Sequence, residues 1–160
     1  MTDATAFVVR AARLSAPQTA ITIAVDTAYV GGQAGKSITQ GIYMMDNQLS
    51  AGSTGEGTLD LNTHVMLGSL IGFNVVPINP DLGDQVIITG FAILQGNVFG
   101  SSGYPEPLPP LGSEPAGSYW IGQAMNQGNQ TYQLQLELTV GQIRPVKYYV
   151  NCGPCSLTAS

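Results

Sequence analysis

Apolar and polar residues alternate along much of the chain with the period of a β-strand. The longest stretch runs over residues 132–140, where Tyr132, Leu134, Leu136, Leu138 and Val140 fall on one face and Gln133, Gln135, Glu137 and Thr139 on the other. Residues 20–26 repeat the pattern, with Ile21, Ile23 and Val25 set against Thr22, Ala24 and Asp26. Between Gly55 and Gly90 lie three short apolar runs, 59–61, 70–76 and 86–91, parted by segments rich in Gly, Pro, Asn and Asp. Gly68, Gly72, Pro77, Pro80, Gly83 and Gly90 would interrupt any helix drawn across them. Residues 38–45 read as a further strand with its core at 42–45, and a turn at Gly141-Gln142 leads into a last strand over 146–150. Seven or more short strands predict an all-β fold, an antiparallel β-sandwich of the jelly-roll or Ig-like kind, with a partly closed β-barrel as the alternative.

The 160 residues suggest one domain with a core able to bury roughly 70% of the unfolded surface. We divide the chain into an N-terminal extension, 1–18, and a single sandwich domain, 19–160. The segment 7–14 (FVVRAARL) predicts a short amphipathic helix or an added edge strand, and no other helix is expected.

Only 9% of residues are charged, against about 25% in an average soluble protein. The surface must therefore be built from Asn, Gln, Ser, Thr and Gly, and with a net charge of −5 copies repel one another weakly. Self-association into homo-oligomers is the expected partnership. The five basic residues, Arg10, Arg13, Lys36, Arg144 and Lys147, are too few and scattered to follow a phosphate backbone, which excludes nucleic acid. No apolar run approaches a membrane span, and the start, Met1-Thr2-Asp3-Ala4, lacks a basic n-region, so a cytoplasmic protein is expected, with release by lysis or a leaderless route left open.

Candidate chemistry is sparse. The run VGGQAGKS (30–37) ends like a phosphate-binding loop, but only three and two residues separate Gly31 and Gly32 from Gly35 where the pattern needs four between its glycines, and no helix is expected to follow. His64, the sole histidine, has no neighbouring Cys or second His for zinc. The carboxylates Glu56, Asp60, Asp81 and Asp84 do not follow the alternate spacing of an EF-hand. No cofactor is implied, although calcium held by separate loops would leave no sequence signal.

The segment 101–117 predicts a long proline-rich surface loop that lacks the amides to join a sheet, and its Pro107-Leu108-Pro109-Pro110 fits the P-x-x-P core in form. Tyr104, Tyr119 and Trp120 border it, with Asn126 beyond. Rings beside amides are what a glycan-binding surface uses, and Asp26, at a strand end, is a further candidate ligand; the alternative has Tyr119 and Trp120 begin a strand with one of them in the core, and Asp26 accepting turn amides. Cys152-Gly153-Pro154-Cys155 spells a thioredoxin-type motif, yet only five residues follow, too few for the helix that stabilises the thiolate. Cys152 and Cys155 are expected as two reduced thiols on a C-terminal tail or as a small local disulfide.

Three motifs in order, GEGTLDL (55–61), GSLIGF (68–73) and DQVIITG (84–90), together with Val25-Asp26-Thr27-Ala28-Tyr29 upstream, resemble the bacterial inclusion-body proteins of the PixA/AidA-like family over residues 19–99. The closing hairpin is similar too, but Tyr148-Tyr149-Val150-Asn151 lacks the Trp and Asp of that family's aromatic run. The resemblance implies a non-enzymatic protein that accumulates in bacterial cells, self-associates and is linked to host interaction. A lectin-like carbohydrate-binding module is the alternative, and thiol-disulfide exchange through the C-terminal Cys pair a lesser one.

Overall fold

The computed structural model describes residues 18–109 and 114–160; the expected helix or edge strand at 7–14 lies outside them. The elements in order are β1 (Thr19–Val25), α1 (Thr27–Gly32), β2 (Ile42–Asp46), β3 (Asn62–Val65), β4 (Leu70–Pro77), β5 (Gln85–Gln95), β6 (Glu106–Pro107), β7 (Tyr119–Gln123), β8 (Gly128–Val140) and β9 (Val146–Ala159). Short 3-10 turns occur at Leu49–Ala51 and Pro80–Leu82. The strands form two facing sheets, one of five in the order β2-β1-β4-β7-β6 and one of four in the order β3-β9-β8-β5. This is an all-β sandwich and not a closed barrel.

The inward residues follow the alternation. Ile21, Ile23 and Val25 of β1 face Leu134, Leu136 and Leu138 of β8 across one buried core, which also holds Phe73, Phe91, Phe99 and Tyr132. Their rings meet mostly edge to face, Phe73 and Phe91 at 4.8 Å between centroids, the arrangement that their quadrupoles favour.

Five features differ from the sequence expectation. Both sheets are mixed, because β1 pairs parallel with β4 and β3 parallel with β9. Neither pair is consecutive in sequence, and alternation says which residues are extended without saying which way a neighbour runs. Residues 27–32 form a helix, capped by Asp26, whose Oδ1 accepts from the Tyr29 amide at 3.3 Å. The run at 59–61 is a turn: the Thr58 hydroxyl donates to Gly55 O at 2.7 Å and accepts from the Asp60 amide, and the strand starts one residue later.

The last two differences are larger. β9 does not stop at Val150 but continues through the Cys-Gly-Pro-Cys segment to Ala159, so both cysteines are core strand residues rather than part of a tail. The proline-rich segment also joins a sheet. Leu108 donates its amide to Tyr119 O at 3.0 Å and Glu106 pairs with Ile121, while Pro105, Pro107 and Pro109 alternate with them. Amides are thus kept where β7 needs them and are missing on the outer side, which is where an edge strand tolerates proline.

Every sheet edge is sealed in a comparable way. Beside β2, Gly57 donates to Met44 O at 2.6 Å and the Glu56 carboxylate accepts the Asp46 amide at 2.9 Å. Beside β3, Thr54 and Asn62 exchange backbone bonds and the Ser53 hydroxyl accepts the His64 amide at 3.0 Å. Beside β5, Gly117 O accepts the Ile88 amide at 2.9 Å, Trp120 Nε1 donates to Ile88 O at 3.1 Å, and the Tyr104 hydroxyl both donates to Phe91 O and accepts from the Phe91 amide. With β6 closed by proline, no long open ladder remains among the described residues for edge-to-edge pairing.

Candidate functional site

The residues that sequence reasoning offered for a glycan do not share a surface. Trp120 is 8% exposed and lies in the core with its indole N–H bonded to Ile88 O and Gly117 O. Tyr104 is 40% exposed, but its hydroxyl is committed to the β5 backbone. Tyr119 packs with Leu70 around Leu108 and Ile121 on the outer side of the five-stranded sheet. Asn126 donates from Nδ2 to Asn97 O at 2.8 Å in the turn between β7 and β8, at the end of the sandwich opposite Asp26 and α1.

Nor do the thiols form a reactive pair. Cys152 and Cys155 are free and buried. Cys152 Sγ points at Leu134 O, 3.7 Å away, and Cys155 Sγ touches Met44 Sδ at 3.2 Å in the opposite sheet. Burial pushes the Cys152 thiol up to about 12 and raises Cys155 further, with Cys152 and Asp60 adding to the effect. Both stay protonated at neutral pH, whereas a redox thiol must ionise.

Among the described residues, no three His, Cys, Asp or Glu side chains stand together in a way that could hold a metal ion. Asp84, one of the loop carboxylates, instead accepts from Thr27 Oγ1 at 2.6 Å and the Gly141 amide at 3.0 Å, tying α1 and the β8–β9 turn to the start of β5. Glu56 stands beside Asp46. Burial first, then that neighbouring carboxylate, raises its pKa, and Asp46 Oδ2 and Glu56 Oε1 are buried without a hydrogen-bond partner.

The most coherent surface is the outer face of the four-stranded sheet. Register places Gln135 opposite Asn151, Glu137 opposite Tyr149, Thr139 opposite Lys147 and Asn129 opposite Thr158, with His64 of β3 beside Thr158. Thr158 Oγ1 lies 3.1 Å from Asn62 Oδ1 and 2.9 Å from Asn129 Oδ1, so amides and hydroxyls already interlock across three strands. The two charges on this face neutralise each other, Lys147 Nζ standing 3.1 Å from Glu137 Oε1, and that partner raises the lysine pKa. The result is a broad, polar, electrically neutral sheet face on a chain of net charge −5. The alternation of 132–140 and the turn at Gly141-Gln142 into 146–150 made the hairpin of β8 with the first part of β9 legible; the continuation of β9 and its parallel pairing with β3 were not.

The profile of a family described as "Domain of unknown function (DUF8788)" matches residues 17–144. No curated protein matches the sequence. Among solved structures, the crystal structure of an inclusion body protein, PixA, from Burkholderia cenocepacia J2315 is similar, with a TM-score of 0.68 over 89% of this chain and 94% of that one. The sequences are 14% identical, so the likeness is one of fold. Among the described residues no helix is long and apolar enough to cross a membrane.

Proposed function

The chain belongs to the DUF8788 family, and from that membership and the fold shared with PixA we propose that it is a non-enzymatic protein that self-associates and accumulates in the cytoplasm of the cell that makes it. The outer face of the four-stranded sheet is the contact surface. The observation that carries this reading is its neutrality: the Glu137–Lys147 pair cancels, and the remaining outward residues of β8 and β9 are uncharged, mainly Gln, Asn, Thr, Ser and Tyr. Two copies meeting there face no like-charge repulsion, while elsewhere the acidic excess keeps them apart. Sealed edges support the same assignment, because they leave faces rather than ladders for contact. The buried, protonated thiols support a non-enzymatic role, since they remove the most reactive groups from solvent. Release from the cell would then bring the protein to a host.

Sedimentation velocity across a concentration series tests the assignment. Gln133→Glu with Asn151→Glu places two new negative charges on the face without touching the core. It should weaken self-association by at least about tenfold at low salt, with partial recovery as salt screens the repulsion. A parent protein that stays monomeric at high concentration would overturn the reading, as would a folded double variant that associates as before.

A further inference from the structure

A cleft of about 310 Å³ opens at the end of the sandwich where the sheets part, between the end of β4, the Pro80 turn, the start of β5 and the segment leading into β7. Its volume is at the lower bound of small-molecule sites, roughly 300 Å³. The floor is aliphatic, from the buried Val75 and Val86, and the walls include the rigid rings of Pro77 and Pro115. Two polar groups define its chemistry. Asp84 is 8% exposed, and both bonds described above come from neutral donors, Thr27 Oγ1 and the Gly141 amide. Ser118, also lining the cleft, is 3% exposed, and its Oγ is buried with no hydrogen-bond partner.

A hydroxyl removed from water without a partner is left unsatisfied at a cost, so the site is one at which a ligand atom gains by completing the bond. Among the described residues of the lining, Asp84 and Glu114 are the ionisable ones, and none is Lys, Arg or His. The Asp84 carboxylate, bonded only to neutral donors among the described residues, favours a cation over an anion in a low-dielectric cleft. A divalent metal is a poor occupant: the Asp84 oxygens are already engaged, and such an ion needs six or so oxygen ligands. An aliphatic floor instead suits a hydrocarbon body.

The geometry points to a binding site for a small protonated primary amine, its hydrocarbon chain on Val75 and Val86 and its ammonium group donating to Ser118 Oγ in the field of Asp84. This site is separate from the outer sheet face and stands whether or not that face mediates association.

The test is a titration of the full chain with n-butylamine, followed by amide chemical shifts, with butyrate and n-butanol as probes of the same length that are anionic and neutral. Butylamine should shift the amides of Gly83, Asp84, Gln85 and Ser118 saturably, and butyrate should not. Ser118→Ala, which removes only the unpartnered hydroxyl, should weaken butylamine about fivefold. Asp84→Asn, in which the Thr27 hydroxyl can turn to accept from the new amide, should weaken butylamine and leave butanol unchanged. No shift at these amides, equal shifts with butyrate, or undiminished binding in both folded variants would each overturn the proposal.

Discussion

The indole N–H of Trp120, in the five-stranded sheet, donates to the backbone carbonyl of Ile88, 3.1 Å away in the four-stranded sheet. One side chain thereby holds the sheets together and satisfies the open edge of β5, and Gly117 O returns a bond to the Ile88 amide. Trp120→Phe keeps a ring but strands a buried carbonyl and shrinks the packing. It should cost roughly 2–4 kcal/mol in urea unfolding. Tyr104→Phe frees the polar groups of Phe91 where water has access, and should cost about 1 kcal/mol. Combined, the two open the β5 edge, and the double variant should form thioflavin-positive aggregates that neither single variant forms.

Neighbouring glycines of α1 should respond in opposite directions. A Cβ on Gly31 would meet the Tyr148 ring at 3.0 Å, while one on Gly32 would meet nothing within 4 Å. Gly32→Ala should therefore stabilise by about 0.5–1 kcal/mol, and Gly31→Ala should destabilise by about 1 kcal/mol as Tyr148 is displaced. Thermal melts of the two variants check the sign of each.

Tyr132 is fully buried, and its hydroxyl has no partner. Burial, with the nearby Cys155, Cys152 and Asp46, raises its pKa well above the usual value of 10.0, so it stays a neutral phenol. Tyr132→Phe removes an unsatisfied group while keeping the ring contacts with Phe73 and Phe91. It should stabilise by about 1 kcal/mol; a loss of stability on chemical denaturation would show that the hydroxyl is bonded in solution.

Glu56 has a pKa raised above the usual 4.5 by burial and by Asp46. The folded protein therefore holds that proton more tightly than the unfolded chain. The associated stability is present below the unfolded value and is lost as pH rises through the folded one. In Glu56→Gln the amide oxygen can still accept from the Asp46 amide, and its NH₂ can donate to the orphaned Asp46 Oδ2. The variant should gain stability over the parent as pH is raised from 4 to 7, and a difference independent of pH would contradict this account.

With Cys152 pushed up to about 12 and both thiols buried, Ellman's reagent should label neither in the native protein at pH 8 and both in guanidinium. Native-state labelling at a rate unchanged by added denaturant would show that a thiol is exposed without unfolding.

Strand identity was written in the local pattern. The alternation over 132–140 and 20–26 places Leu134, Leu136, Leu138, Ile21, Ile23 and Val25 in the core, because a strand sends successive side chains to opposite faces. The scarcity of charge announced a neutral surface for the same reason: composition needs no fold to be read. What only tertiary structure decided was partnership. Whether β1 lies parallel to β4, whether a Pro-rich segment can serve as an edge, and whether Cys152-Gly153-Pro154-Cys155 is a tail or the middle of a strand all depend on residues distant in sequence. Such pairings are set by which backbone groups still need a partner once two sheets face each other. The same holds for the scattered aromatic and amide candidates: that Trp120 is the inward ring and hands its indole proton to Ile88 O in the other sheet is not recorded by the residues around Trp120.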